Sequence, residues 1–160
     1  INTHVKGAVL DEIWKSLEKS TWIQDGQDNA EKIVYVFNDA NCPYCHTMWQ
    51  KARPLVESGK VQLRHIMVGV IRPSSKGQAA TLLQSANPVE TFKLFNQSNG
   101  KNKIKEMTNI PKNLSDQLDA NTALLDKYGF YATPALVGKN NKGEIESMQG
   151  LPKDINKLLE

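Results

Sequence analysis

The chain has 160 residues, 39% hydrophobic, 7% aromatic and 23% charged, which fits one globular domain able to bury roughly two-thirds of its unfolded surface without a covalent staple. No apolar run approaches the roughly 18 residues of a membrane-spanning helix, which excludes that class. The 20 basic and 17 acidic residues give a formal charge of +3 without a run of five like charges, arguing against nucleic acid as the principal partner; two cysteines and three scattered histidines (His4, His46, His65) are too few for a four-cysteine zinc site, so no metal is expected. The start at Ile1, with no initiator Met and no apolar leader, predicts a processed mature protein or a piece of a longer one.

From Val5 to Lys19, Val9, Ile13 and Leu17 recur every four positions with Leu10 and Trp14 beside them, which predicts an amphipathic helix. The polar stretch QDGQDN, Gln24 to Asn29, reads as its exit. KIVYVFN, Lys32 to Asn38, is β-branched and aromatic with little alternation, so it predicts a strand buried on both faces, central in an α/β sheet. Cys42 is followed by Pro43, a residue favoured at the first helical position, and then by Met48, Ala52 and Val56 at helical spacing. Pro54 predicts a kink or early end of that helix. Ser58 to Lys60 forms a turn into a second strand, VQLRHIMVGVI, Val61 to Ile71. Three helices follow, Lys76 to Ser85, Pro88 to Gln97 with Asn87 as cap, and Ser115 to Tyr128 ending at Gly129. The lysine-rich SNGKNKIKEMTNIPKN between the last two predicts an exposed loop. PALVG, KNNKG and EIESM then predict a hairpin, with a short helix after Pro152. This order, without an internal repeat, is that of an α/β, thioredoxin-like fold with a helical insertion.

Both cysteines fall at the first strand-to-helix junction, in FNDANCPYCHTMW. A thiolate in the first helical turn faces unpaired N–H groups and the positive end of the macrodipole, so Cys42 should have a depressed pKa. Cys45, one turn deeper, is within reach of a mixed disulfide on Cys42 and can resolve it. Pro43 limits the loop, and Tyr44 projects where a substrate would touch. One rival is an inert structural bridge. Another is haem: CPYCH satisfies the CxxCH attachment pattern, with His46 as axial ligand and Met48, Met67, Met107 or Met148 as candidates for the sixth position. Against it, cytochrome c domains are helical, whereas this motif follows a strand. His46 otherwise reads as a helix residue that tunes the thiolate.

The run FNDANCPYCHTMWQKARPLVESGKVQLRHIMVGVIRPSS, with YGFYATPALV and GLP further on, resembles the catalytic domain of the periplasmic disulfide isomerases of the DsbC and DsbG type, and lies nearer the DsbG side. The resemblance implies that Thr133 precedes a cis-proline, Pro134, packed against the CPYC loop, with the Thr133 backbone pairing with an extended substrate. It implies no cofactor, a periplasmic location, substrate proteins with misoxidised or sulfenylated cysteines, and a membrane reductase of DsbD type as partner. Many thioredoxin relatives carry a buried acid six positions before the attacking cysteine; here that position is Val36, so a proton acceptor for Cys45 comes from elsewhere or is water, with Asp39 as one candidate that reads equally well as a strand-end turn residue. Full-length members carry an N-terminal dimerisation domain joined through a helix. Residues 1–29 therefore read as linker helix and connection, and residues 30–160 as the catalytic domain with its insertion at about 74–129. The piece alone should be monomeric. A DsbA-like oxidant is the alternative within the same chemistry, and a redox-silent peptide-binding module the alternative outside it. The groove around Tyr44 and VGVIRPSS is where substrate charge would be selected.

Overall fold

The computed structural model describes the backbone of residues 7–159 and the side chains of residues 11–157. His4, and Val5 and Lys6 of the expected first helix, lie outside the described residues. Helix α1 spans Gly7–Lys19, with Ile13 and Leu17 of its apolar stripe buried. Strand β2, Lys32–Asp39, runs between β3, Val61–Val68, and β4, Ala135–Lys139. Five strands form one sheet in the order β1-β3-β2-β4-β5. Strands β2 and β3 are parallel, and β1 (Trp22–Asp25), β4 and β5 (Ile145–Gln149) are each antiparallel to their neighbours.

Burial on both faces of β2 follows from what covers it. Tyr35 and Phe37 point to one face, packing with Ile13 and Leu17 of α1, Phe130, and Leu125 of α6 (Lys112–Lys127). Val34 and Val36 point to the other, under Met48 of α2 (Pro43–Lys51) and Leu55 and Val56 of α3 (Arg53–Glu57). Helices α4 (Ser75–Gln84) and α5 (Pro88–Gln97), with α6, build a third cluster around Trp49, Met67, Leu82, Phe92 and Leu118. The helical insertion is thus packed on the same molecule that carries the CPYC turn.

Several elements differ from the sequence expectation. The exit after α1 contains an unexpected edge strand, β1. It has only four residues, and its inward positions alternate between Ile23 and Asp25, so an acid occupies a core-facing site. That acid has partners: His65 Nε2 lies 2.9 Å from Asp25 Oδ2, and the Arg53 guanidinium grips both carboxylate oxygens. The helix after Cys42 breaks at Ala52, and Pro54 sits in the first turn of α3, as its position suggested. Strand β3 stops at Val68 instead of Ile71, because the Val70 and Ile71 amides turn away and donate to Asp39 Oδ2 at 2.8 and 2.9 Å. Gly69 permits this turn: a Cβ there would sit 2.7 Å from Lys76 Cα. Helix α6 begins three residues early, at Lys112. The lysine-rich loop is not wholly exposed, since Ile104 is buried and Met107 and Ile110 pack on the third cluster.

Candidate active site

Cys42 is the N-cap residue of α2, in extended conformation (φ −103°, ψ 107°), with Pro43 opening the helix. Its side chain takes the place of a capping oxygen, as the Cys45 amide donates to Cys42 Sγ at 3.2 Å. The strand-to-turn-to-helix path therefore aims the sulfur at unpaired helix-start amides. The two cysteines are free thiols, each 2% exposed, while Tyr44 between them is 63% exposed.

The same sulfur meets a second chain segment 91 residues away: the Cys42 thiol donates to the Thr133 carbonyl oxygen at 3.5 Å. The Thr133–Pro134 peptide bond is cis, as the resemblance implied, and Pro134 is buried at the start of β4. Beside it Tyr131 is 88% exposed. The fold thus joins Cys42, Pro43, Tyr44, Cys45, Thr133 and Pro134, from distant parts of the chain, in one site.

The two thiols are pushed in opposite directions. Cys42 is lowered to about 7, first by its hydrogen bond with the Cys45 side chain and then by those of Thr133 and the Cys45 amide, against burial and the Asp39 charge. Burial pushes Cys45 well above its ordinary value, and its contacts with Cys42 push the same way. One sulfur is poised as a thiolate; the other holds its proton.

Asp39 and His46 have geometries that sequence reading did not foresee. Asp39 is buried, and its carboxylate accepts from Asn41 N, Ser75 Oγ, Val70 N and Ile71 N at 2.9, 2.6, 2.8 and 2.9 Å. Four donors fill it, so it acts as a knot joining β2, the loop after β3 and α4. Its charge acts on Cys42 by raising the pKa. His46 turns toward α5: its Nδ1 lies 2.8 Å from Asn96 Oδ1 and its ring stands edge-on to Phe95 at 4.9 Å. Val36 lies beneath α2 with no acid at its position, and the buried polar chain on that face is instead Asn38–His65–Asp25–Arg53.

The haem reading does not fit these residues. Cys42 Sγ faces the Thr133 carbonyl, while the His46 ring is clamped between Asn96 and Phe95, so the thiols and the imidazole serve different neighbours. Among the described residues no three His, Cys, Asp or Glu side chains gather to hold a metal ion, and no helix is long and apolar enough to cross a membrane.

Residues 23–160 match the family model described as a thioredoxin-like domain. The chain is 42% identical over 142 residues to the thiol:disulfide interchange protein DsbG of Pseudomonas aeruginosa, covering 89% of this chain and 56% of that protein. It is 43% identical over 154 residues to DsbG of Escherichia coli K12, covering 92% and 60%. The chain therefore spans little more than half the length of these curated relatives. Two solved structures share its fold: a periplasmic thioredoxin-like protein from Salmonella enterica serovar Typhimurium (TM-score 0.71, 15% identity, 93% of this chain and 91% of that one) and Proteus mirabilis ScsC in a compact conformation (TM-score 0.72, 18% identity, 96% and 76%). A five-stranded sheet with a CPYC turn capping a helix beside a cis-proline, and a family model matched over nearly the whole chain, place it in one group: the chain belongs to the thioredoxin-like domain family.

Proposed function

We propose that this chain is the catalytic part of a periplasmic thiol:disulfide interchange enzyme of the DsbG type, reducing or isomerising disulfides of other proteins. In this reading residues 30–160, with the insertion at about 74–129, are the catalytic unit, and residues 1–29 are linker-type, β1 lending an edge strand to the unit's sheet. The observation that carries it is the geometry of the two thiols, Cys42 capping α2 beside the Thr133 carbonyl and Cys45 buried behind it, which pushes their pKa values in opposite directions.

The chemistry follows from that poise. The Cys42 thiolate attacks one sulfur of a substrate disulfide; an S–S bond forms to Cys42 as the substrate S–S bond breaks, and the displaced substrate thiolate takes a proton. The Cys45 thiol then loses its proton and attacks Cys42 Sγ. This releases the second substrate thiol and leaves a Cys42–Cys45 disulfide, so the protein pair gives up two electrons. In isomerisation the displaced substrate thiolate attacks a second substrate disulfide, and the thiolate freed there attacks the mixed disulfide, forming the new substrate S–S bond and expelling Cys42 as its thiolate. With a sulfenic acid the first attack expels hydroxide, which leaves as water. The oxidised pair returns to the dithiol by exchange with a membrane reductase of DsbD type, and this piece alone acts as a monomer.

The 42% and 43% identity to two thiol:disulfide interchange proteins DsbG supports the reducing or isomerising role over that of a DsbA-like oxidant. The test uses two variants incubated with a disulfide-bonded protein. Cys45→Ser accumulates a covalent mixed disulfide on Cys42, and Cys42→Ser accumulates none. A Cys42→Ser or Cys42→Ala protein that keeps its activity would mean a binding module in place of an enzyme.

A further inference from the structure

A cleft of about 330 Å³ opens beside the CPYC turn, on the side of the helical insertion. Asn41 and Pro43, the neighbours of Cys42, line it together with His46, Arg72 and Lys103. Its far end therefore lies with the insertion while its near end is one residue from the nucleophile.

The two cations are exposed, and among the described residues neither has a hydrogen-bond or ion-pair partner for its side chain. Their backbones, however, are anchored. Arg72 sits in the turn after β3, where its own amide donates to Ser75 Oγ at 3.2 Å, and the two preceding amides are held by Asp39. Lys103 directly precedes the buried Ile104, whose carbonyl accepts from Gln78 Nε2 at 3.0 Å. The wall between them is a satisfied network, Asn41 Nδ2 donating to Ser75 Oγ and Gln78 Oε1 at 2.8 Å each.

The floor carries an unused polar atom. Asn96 Nδ2 donates to the Phe92 carbonyl at 2.8 Å, so its Oδ1 is the atom that meets His46 Nδ1, and that ring nitrogen bears the hydrogen. His46 is only 7% exposed, yet its Nε2 has no partner among the described residues. Gly100 leaves room over it: a Cβ there would lie 2.8 Å from Nε2. Charge in the surrounding loop is also one-sided, with Lys101, Lys103 and Lys105 against Glu106, while Lys76 is already paired with Asp119.

We infer that this cleft is a subsite for a carboxylate on the substrate, an Asp or Glu side chain close in sequence to the cysteine that reacts with Cys42. The inference rests on the thiol-exchange reading above. An extended peptide advances about 3.3 Å per residue, so a side chain one or two positions from the reacting cysteine reaches a cleft whose wall starts at Asn41 and Pro43. Arg72 and Lys103 attract the carboxylate and speed encounter, an effect that weakens with salt.

The test compares three disulfide-bonded peptides identical except for Glu, Gln or Lys two positions from the reacting cysteine. Wild-type protein reduces the Glu peptide with kcat/KM about fivefold above the Gln peptide at low salt, the size expected of two exposed charge pairs. The ratio falls toward one in Arg72→Gln/Lys103→Gln and inverts in favour of Lys in Arg72→Glu/Lys103→Glu, with circular dichroism checking the fold of both. Equal rates for Glu and Gln on the wild type, or a Glu preference that survives in Arg72→Gln/Lys103→Gln, would overturn the subsite while leaving the oxidoreductase standing. Failure to reduce any of the three peptides would overturn both.

Discussion

Two sulfurs three positions apart differ because one caps a helix and the other lies behind it. Cys42 accepts from the Cys45 amide and is lowered by the Cys45 and Thr133 side chains; Cys45 is raised mainly by burial. Alkylation of the reduced protein should therefore show one titrating thiol with a midpoint near 7, Cys45 staying unreactive through neutral pH. The stability consequence has a definite sign. A thiol whose folded value is depressed stabilises the fold above its unfolded value and loses that contribution as pH falls through the folded one. Reduced protein should thus gain stability relative to Cys42→Ser between about pH 7 and 9. Asp39→Asn gives a paired outcome. Removing the charge lowers the Cys42 midpoint further, while the amide turns donors toward the Val70 and Ile71 amides and costs about 2 kcal/mol of stability. Urea unfolding alongside the alkylation profile reads both effects.

Strand β1 and the α2–α3 break are linked by one ionic cluster. Arg53 opens α3, stacks its guanidinium 3.6 Å over Trp49 and grips Asp25 of β1, and His65 of β3 holds the same carboxylate from below. Burial alone would raise the Asp25 pKa, but the hydrogen bonds from His65 and Arg53 outweigh it and hold the carboxyl well below the usual range. Such an acid stabilises the fold above its unfolded value and loses that contribution only as pH falls through its depressed folded one. Asp25→Ala leaves the buried His65 and the part-buried Arg53 without their acceptor and should destabilise by about 3 kcal/mol. The loss should persist down to pH 4 in denaturant titrations, and the alkylation midpoint of Cys42 should stay where it is.

At the scale of the whole molecule, the helical insertion is tied to the CPYC side by Asn41, which donates to Ser75 and Gln78, and is strapped within itself. The Met107 amide donates to the Gly77 carbonyl at 3.0 Å and Gln78 binds the Ile104 carbonyl, which straps the lysine-rich loop across α4. Gly77 is the contact point: a Cβ there would lie 2.6 Å from the Met107 carbonyl oxygen and 2.5 Å from Glu106 Cγ. The backbone oxygen cannot swing aside, so Gly77→Ala should lower stability by about 2 kcal/mol, outweighing the gain alanine normally brings to a helix. Thermal unfolding checks this, and a stabilised variant would show that the strap yields easily.

Local pattern was enough for β2, the helix after Cys42, its break at Pro54, α5 with its Asn87 cap and the terminal hairpin, because each depends on periodicity or on a residue acting on its own backbone. The cysteine pair with Pro43 was legible for the same reason, and Thr133 and Pro134 through resemblance. Strand β1 was not, since a four-residue edge strand with an inward acid carries no apolar signal and forms only because β3 offers a ladder and Arg53 and His65 offer counter-groups. The end of β3 depended on Asp39, and the packing of Ile104 and Met107 on α4, both distant in sequence. The sequence by itself therefore determined the helix-start dithiol, because capping and dipole act within one turn. Only the tertiary structure decided the partners that tune it, and turned His46 away from the thiols toward a cleft, because those contacts exist only after segments tens of residues apart are brought together.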